Sequence, residues 1–387
     1  MLSTLVHAQY GAKRVVLVGD PQQLPATVVS MEAQRRGYGV SLFERLQRGG
    51  HAARMLCTQY RMHPAIRAFP SAHFYDGKLR DGEVVRSAAR APAGTTGGPP
   101  GFLAIPGGAE MRLAPYAFLN LTDGYQSRGG GGGEHGGGTS RSLRNDAEAK
   151  FCVRLLLSLV YASDRWSVGE TTASETRALL GSDEATPAGA SGGGGSAAAQ
   201  ADGAPATGCG WCCLPESASR GEPCPFGCAC GRVVILTPYR EQKRALEAEL
   251  SAVFGPSVWE HAVEVASVDS FQGKEKDLVL YSCVRSATKA GLGFVKDLRR
   301  LNVALTRARH ALYIIGADQA LRQSATWAAL IDDAAARGLS RDVTVDAAMR
   351  TPPLELLSDM LPASLLDGTP PGGNPRGALQ RSVRLVR

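Results

Sequence analysis

The chain has 387 residues, 44% of them hydrophobic, enough to bury a core and to hold two or three domains of ordinary size. Its 46 glycines and 22 prolines are too many for one compact domain, so part of the length is expected to be loop or disorder. The net charge of +7 suits a polyanion such as nucleic acid, or reflects arginine, alanine and glycine enriched together by genome base composition. No window approaches the ~20 apolar residues of a membrane span. The apolar start at Met1 to Val6 is too short for a secretory signal, and Lys13 and Arg14 follow it rather than precede it.

Residues 14–19 (RVVLVG) form a short apolar run ending in glycine, the pattern of a strand buried on both faces of a parallel sheet. The loop 20–25 leaves its C-terminal end, where open α/β sheets place ligands. Ser41 and Glu44 form a capping box ahead of Leu46, which predicts a helix joining two lobes. A strand is expected over 117–121, between Gly/Pro/Ala-rich stretches at 91–108 and 128–138. Asn145 reads as the N-cap of a helix over 147–161, with Phe151, Leu155, Leu156 and Leu159 at helical spacing. Residues 164–231 carry too little apolar surface to offset chain entropy, and disorder is expected there.

Order is expected to resume with a strand over 233–237 and a helix through 243–252. Strands follow over 263–268 and 278–283, then an arginine-rich helix through 299–309, a strand over 311–316 and a helix over 327–336. From Arg350 the composition reads as a loose tail. Strands alternating with helices predict a parallel α/β sheet. Cys57, Cys152 and Cys283 sit singly in apolar surroundings and read as reduced structural thiols of an intracellular protein. Cys209, Cys212, Cys213, Cys224, Cys228 and Cys230 crowd one part of the long insertion, in C-x2-C and C-x3-C spacings that could hold Zn²⁺. No histidine interleaves and two sulfurs are surplus, so no metal site is expected.

Four segments carry the chemistry. They are LVGDPQQLP at 17–25, QYRMHP at 59–64, ILTPYREQ at 235–242, and VASVDSFQGKEKDLVLYSCVR at 265–285 followed by RRLNVALTRAR at 299–309. In this order they resemble motifs III to VI of the superfamily 1 helicases, in the branch containing senataxin and the nonsense-mediated-decay helicase. The resemblance implies an α/β fold: a parallel-sheet, RecA-like second helicase lobe of the P-loop NTPase superfamily, with long disordered insertions. It implies a remnant of the first lobe and connector over 1–50, the second lobe over 51–340 with insertions at 91–108, 128–138 and 164–231, and a flexible tail over 341–387.

The same resemblance assigns roles residue by residue. Arg307 and Arg61 match arginines that reach the γ-phosphate, and Gln23 matches the glutamine that senses it. Asp20 matches a residue beside the metal-bound water. Tyr60 matches the tyrosine on which adenine stacks, while Gly273 and Glu275 match residues that approach the nucleotide and its ribose. Thr237 and Ser267 match hydroxyls that bind nucleic-acid phosphates, contacts that position a strand without reading sequence. Leu24-Pro25-Ala26 departs from the family's Leu-Pro-Pro, a change of loop stiffness.

A γ-phosphate in transfer needs positioned positive charge, a GxxxxGK[ST] loop and an acidic Mg²⁺ ligand. These residues contain neither the loop nor that acidic motif, so the chain is expected to be the C-terminal half of an ATP-dependent RNA or RNA:DNA helicase. ATP and Mg²⁺ would then require the first RecA-like lobe, and the chain alone is expected to be inactive. The implied partners are single-stranded RNA or DNA, an RNA:DNA hybrid and that first lobe, with no membrane and a nuclear rather than cytoplasmic setting. A catalytically inactive module that binds nucleic acid or a partner stays open as the alternative.

Overall fold

Short apolar runs separated by amphipathic helices dictate a sheet whose central strands are buried on both faces. The computed structural model describes residues 13–90, 104–105, 111–112, 114–128, 142–164, 231–254, 256–287 and 291–346. The Cys209 to Cys230 cluster lies outside the described residues, as does most of each Gly-rich stretch.

In chain order the main elements begin with α1 (Met31–Arg35), α2 (Leu42–Arg48), β1 (Thr58–Gln59), α3 (Pro64–Phe74), β2 (Arg80–Asp81) and α4 (Glu83–Arg90). Then come β3 (Tyr116–Leu121), α5 (Asp146–Asp164), β4 (Val233–Thr237), α6 (Arg240–Phe254), α7 (Pro256–Ala262), β5 (Val263–Ser267) and β6 (Lys276–Ser282). Last are α8 (Leu298–Leu305), β7 (Ala308–Gly316), α9 (Asp318–Leu321), α10 (Ala325–Ala336) and β8 (Ser340–Val343).

Six strands form one all-parallel sheet in the order β8-β3-β7-β6-β4-β5. Every residue of β4 is buried, and so are Leu278 to Ser282 of β6, as a strand covered on both faces requires. The helices α5 and α6 pack on each other, α5 against β6 and β7 and α6 against β4 and β5. The helix α3 lies against β7 and α8, and α10 against β3 and β8. The Trp327 indole of α10 stacks on Tyr281 and donates to the Val295 carbonyl at 2.8 Å, which pins a 3₁₀ turn, Gly293–Lys296, to the core.

The expected N-cap of α5 forms, with Asn145 Oδ1 accepting from Glu148 N at 3.1 Å. Ser41 caps α2 through a 3.1 Å bond from Glu44 N, but the Glu44 carboxylate turns to Arg48 and Arg299 instead of completing the box. Two expectations are corrected. The run 14–19 forms no strand, and Val16 and Val18 are 84% and 89% exposed, because a two-faced strand needs neighbours on both sides and none of the described residues pairs with it. The arginine-rich helix stops at Leu305, so Arg309 lies in β7 and Arg307 in the turn before it. The last strand, β8, joins the sheet through Val343. Among the described residues no helix is long and apolar enough to cross a membrane.

Candidate nucleotide site and strand-end face

The turn preceding α3 is built by one side chain. Gln59 Oε1 accepts from Arg61 N at 2.9 Å and Met62 N at 2.7 Å, while its Nε2 donates to Met62 O at 2.8 Å. His63 then caps α3, with Pro64 in the first turn, and its own N–H donates to Arg309 O at 2.8 Å. Burial and the neighbouring His310 lower the His63 pKa to about 4, so the cap is neutral and able to accept near pH 7. Arg61 leaves this turn, ion-pairs with Glu275 and donates to Thr306 O at 3.0 Å. The Tyr60 ring stays 70% exposed and lies directly over Gly82, where any Cβ would collide with it.

Arg307 is placed by the end of α8. Thr306 closes that helix, and the Arg307 Nε donates back to Val303 O at 2.9 Å. Its Nη1 donates to Lys274 O at 3.3 Å, and its Nη2 to Gln23 Oε1 at 3.2 Å and Thr306 Oγ1 at 2.9 Å. The side chain is buried with 2% exposure, and burial, then the nearby Arg61, lower its pKa to about 10. It is therefore a cation at neutral pH with its field undiluted by water.

The loop 20–25 meets this arginine through a ring of polar contacts. Asp20 accepts from Gln22 N at 2.9 Å, Gln23 Nε2 at 3.0 Å and the Tyr75 hydroxyl at 2.6 Å. Asn302 Nδ2 donates to Tyr75 Oη at 2.8 Å and to Gln22 O at 2.9 Å, while Gln272 Nε2 donates to Leu24 O at 2.8 Å. Gly273 turns with φ at +85°, a conformation glycine adopts without strain. Lys276 N donates to Arg307 O at 3.1 Å, so the chain ahead of β6, with Glu275, is bound to the chain ahead of β7. Asp20, Gln23, Arg61, Gly273, Glu275 and Arg307 thus gather in one region, with Tyr60 next to Arg61.

Thr237 and Ser267 lie elsewhere, paired in register at the C-terminal ends of β4 and β5. Ser267 Oγ accepts from Ser270 N at 3.1 Å and contacts Ser270 Oγ at 2.9 Å, while Thr237 is wholly buried with its Oγ1 3.5 Å from Tyr239 N. Beyond β6, Val284 takes a left-handed backbone (φ +70°), an uncommon state for a β-branched residue. Glu148 holds it there, its buried Oε2 accepting from Val284 N at 2.8 Å and Ser282 Oγ at 2.6 Å. Burial pushes the Glu148 carboxyl up to about 7.

Two residues that complete this polar region escaped the sequence reading. Tyr75 lies outside every recognised segment, and Asn302 sits unremarked inside RRLNVALTRAR. The only signal for Asn302 was an amide on the apolar face of α8. Among the described residues no group of three or more His, Cys, Asp or Glu side chains could hold a metal ion. The donors that are present, a buried guanidinium, a second arginine and an amide, match a polyphosphate, and two carboxylates lie among them, Glu275 on Arg61 and Asp20 on Gln23.

The chain is similar to known helicases along most of its length. A family model described as an AAA domain matches residues 38–170 and 220–319, and a second AAA domain model matches residues 1–31. Probable helicase MAGATAMA 3 of Arabidopsis thaliana is 30% identical over 335 residues, 87% of this chain and 31% of that protein. Helicase SEN1 of Saccharomyces cerevisiae is 30% identical over 334 residues, 86% of the chain and 11% of that protein. ATP-dependent helicase upf1 of Schizosaccharomyces pombe is 30% identical over 321 residues, 82% of the chain and 25% of that protein. The chain therefore spans between a tenth and a third of the length of these relatives. With the motif order, the parallel sheet and these matches together, the chain belongs to the superfamily 1 helicases, in the branch of the Sen1 and Upf1 helicases.

Proposed function

We propose that this chain supplies the second lobe of an ATP-dependent nucleic-acid helicase, with Arg307 and Arg61 as the arginine fingers of ATP hydrolysis. The observation that carries the reading is the bond between buried Arg307 and Gln23, because it joins the positive charge needed in phosphoryl transfer to a loop that changes when the γ-phosphate leaves. Arg61, half-exposed and paired with Glu275, exchanges that carboxylate for phosphoryl oxygens when nucleotide binds. Glu275, released, accepts from ribose hydroxyls; Tyr60 offers its exposed face to adenine, and Gly273 lets the backbone come close. Asp20 orients Gln23 by accepting from its Nε2 at 3.0 Å, and its carboxylate would help order water near bound Mg²⁺. Bound Mg²⁺ would supply charge neutralisation at the phosphates, and the residues to hold it would come chiefly from the first lobe.

Ser267 and Thr237 mark the strand-end face along which RNA or DNA runs. Ser267 fits a phosphate contact better, since its hydroxyl is partly exposed whereas that of Thr237 is enclosed. The test is nucleic-acid-stimulated ATP hydrolysis in a protein carrying this chain together with a phosphate-loop lobe. Stimulated turnover lost on Arg307→Ala supports the reading. Strand binding without hydrolysis, unchanged by Arg307→Ala, favours an inactive binding module instead.

A further inference from the structure

The loop from β6 to α8 carries an apolar ring outward under unusual control. Phe294 is 58% exposed, although its neighbours Leu292 and Val295 are buried. The main chain around it is fastened carbonyl by carbonyl. Arg285 Nη2 donates to Gly291 O, Tyr239 Oη to Leu292 O at 3.3 Å, Arg300 Nη1 to Phe294 O at 3.4 Å and Trp327 Nε1 to Val295 O at 2.8 Å. Gly291 and Gly293 both take positive φ (63° and 56°), and a Cβ on Gly293 would come 3.0 Å from the Tyr239 hydroxyl. A ring left outside by a fraying loop would need none of this, and exposing it forgoes part of the stabilisation that a buried Phe contributes.

The ring also has a definite setting. It meets Tyr239 edge to face at 5.8 Å between centroids, and the Arg300 guanidinium carbon lies 5.5 Å from its centroid. Tyr239 is two residues past Thr237, and Arg300 is held by a two-bond pair at 2.9 Å to Asp269, two residues past Ser267. Phe294 therefore stands beside the ends of the two strands that carry Thr237 and Ser267. An aromatic face at that spot matches a nucleobase whose own phosphates run along those strand ends, because any base can stack without its sequence being read.

We propose that Phe294 is a base-stacking platform for single-stranded nucleic acid, a binding site additional to the phosphate contacts. This rests on the reading of the chain as a nucleic-acid motor lobe. The experiment measures anisotropy of labelled oligo(dT), oligo(rU) and a backbone-matched abasic oligomer with the 387-residue chain and its Phe294→Ala, Phe294→Leu and Phe294→Trp variants. Both non-aromatic variants are expected to bind the base-containing strands about 5- to 150-fold more weakly, the range for one lost stack. Phe294→Trp is expected to retain the affinity, and the abasic oligomer to bind all four proteins alike. Phe294→Leu keeps the apolar bulk, so a folding defect confined to Phe294→Ala leaves the test decisive. Equal affinities for the base-containing strands, or an equal loss on the abasic oligomer, overturn the stacking role and leave the motor reading intact. Failure of the unaltered chain to bind any oligomer overturns the platform, whereas the motor reading falls only if the two-lobe protein also shows no strand-stimulated hydrolysis.

Discussion

The Tyr75 hydroxyl donates to Asp20 across 2.6 Å, fastening the C-cap of α3 to the loop that carries Gln23. Burial, then this bond, push the Tyr75 pKa up to about 12, so it remains a donor throughout the working pH range. Tyr75→Phe keeps the ring and removes only the donor. We expect a roughly 10- to 150-fold drop in kcat with a small change in KM, matching the ~1.5–3 kcal/mol of a hydrogen bond to a charged group. Steady-state kinetics in a two-lobe protein check this, and an unchanged kcat would show that Asp20 is held well enough by Gln22 and Gln23.

Arg307→Ala in the same protein is expected to lower kcat by about 10³-fold or more, with far less effect on strand affinity. Lysine should rescue poorly, since a point charge cannot reproduce the four bonds the guanidinium spreads over Val303, Lys274, Gln23 and Thr306. If strand binding vanished while hydrolysis survived, Arg307 would not be the finger.

Arg309 serves as the control, for a reason the sequence alone misjudged. Helical geometry would turn it away from Arg307. In the fold, Arg309 lies in β7, 48% exposed, with looser partners in Glu275 at 3.9 Å and Asp277 at 3.5 Å. Exposed pairs contribute ~1 kcal/mol or less, so Arg309→Ala should change turnover by less than about fivefold. A loss equal to that of Arg307→Ala would remove the distinction between the two.

Glu148 makes stability depend on pH. Its folded pKa of about 7 lies above the ordinary value of 4.5, so the native state binds more protons between those limits. Its contribution to stability is therefore fully present below the unfolded pKa and is lost as pH rises toward and through 7. Urea unfolding should show a falling limb over this window, by at most about 1.4 kcal/mol per pH unit from this group. Glu148→Gln should flatten that limb, and an unaltered slope would assign it to other residues.

Replacing residues 165–230 by a short Gly/Ser linker should preserve cooperative thermal unfolding. The helix α5 and the strand β4 that flank the segment are packed into the core, and closure entropy grows only with the logarithm of loop length. Loss of the cooperative transition would make the cysteine-rich stretch part of the fold, and stoichiometric zinc in the undeleted protein would give it a metal.

Local pattern was enough to find most of the sheet. Val233–Thr237 announced itself as a nearly continuous apolar run and Val263–Ser267 as a short alternating one, and Asn145 marked the start of α5 because an N-cap bond is made within a single turn. The order of motifs was likewise enough to place the chain in its family. Tertiary structure decided what local pattern cannot hold. Helical spacing ran on through Arg309, but pairing of Lys276 with Ala308 drew those residues into the sheet, ended α8 at Leu305 and set Arg307 in the turn facing Gln23. The run 14–19 has every mark of a strand, yet a strand exists only where neighbours accept its hydrogen bonds. Tyr75 and Phe294 owe their places to partners more than fifty residues away, Asp20 and Tyr239, so no window of sequence could have revealed either.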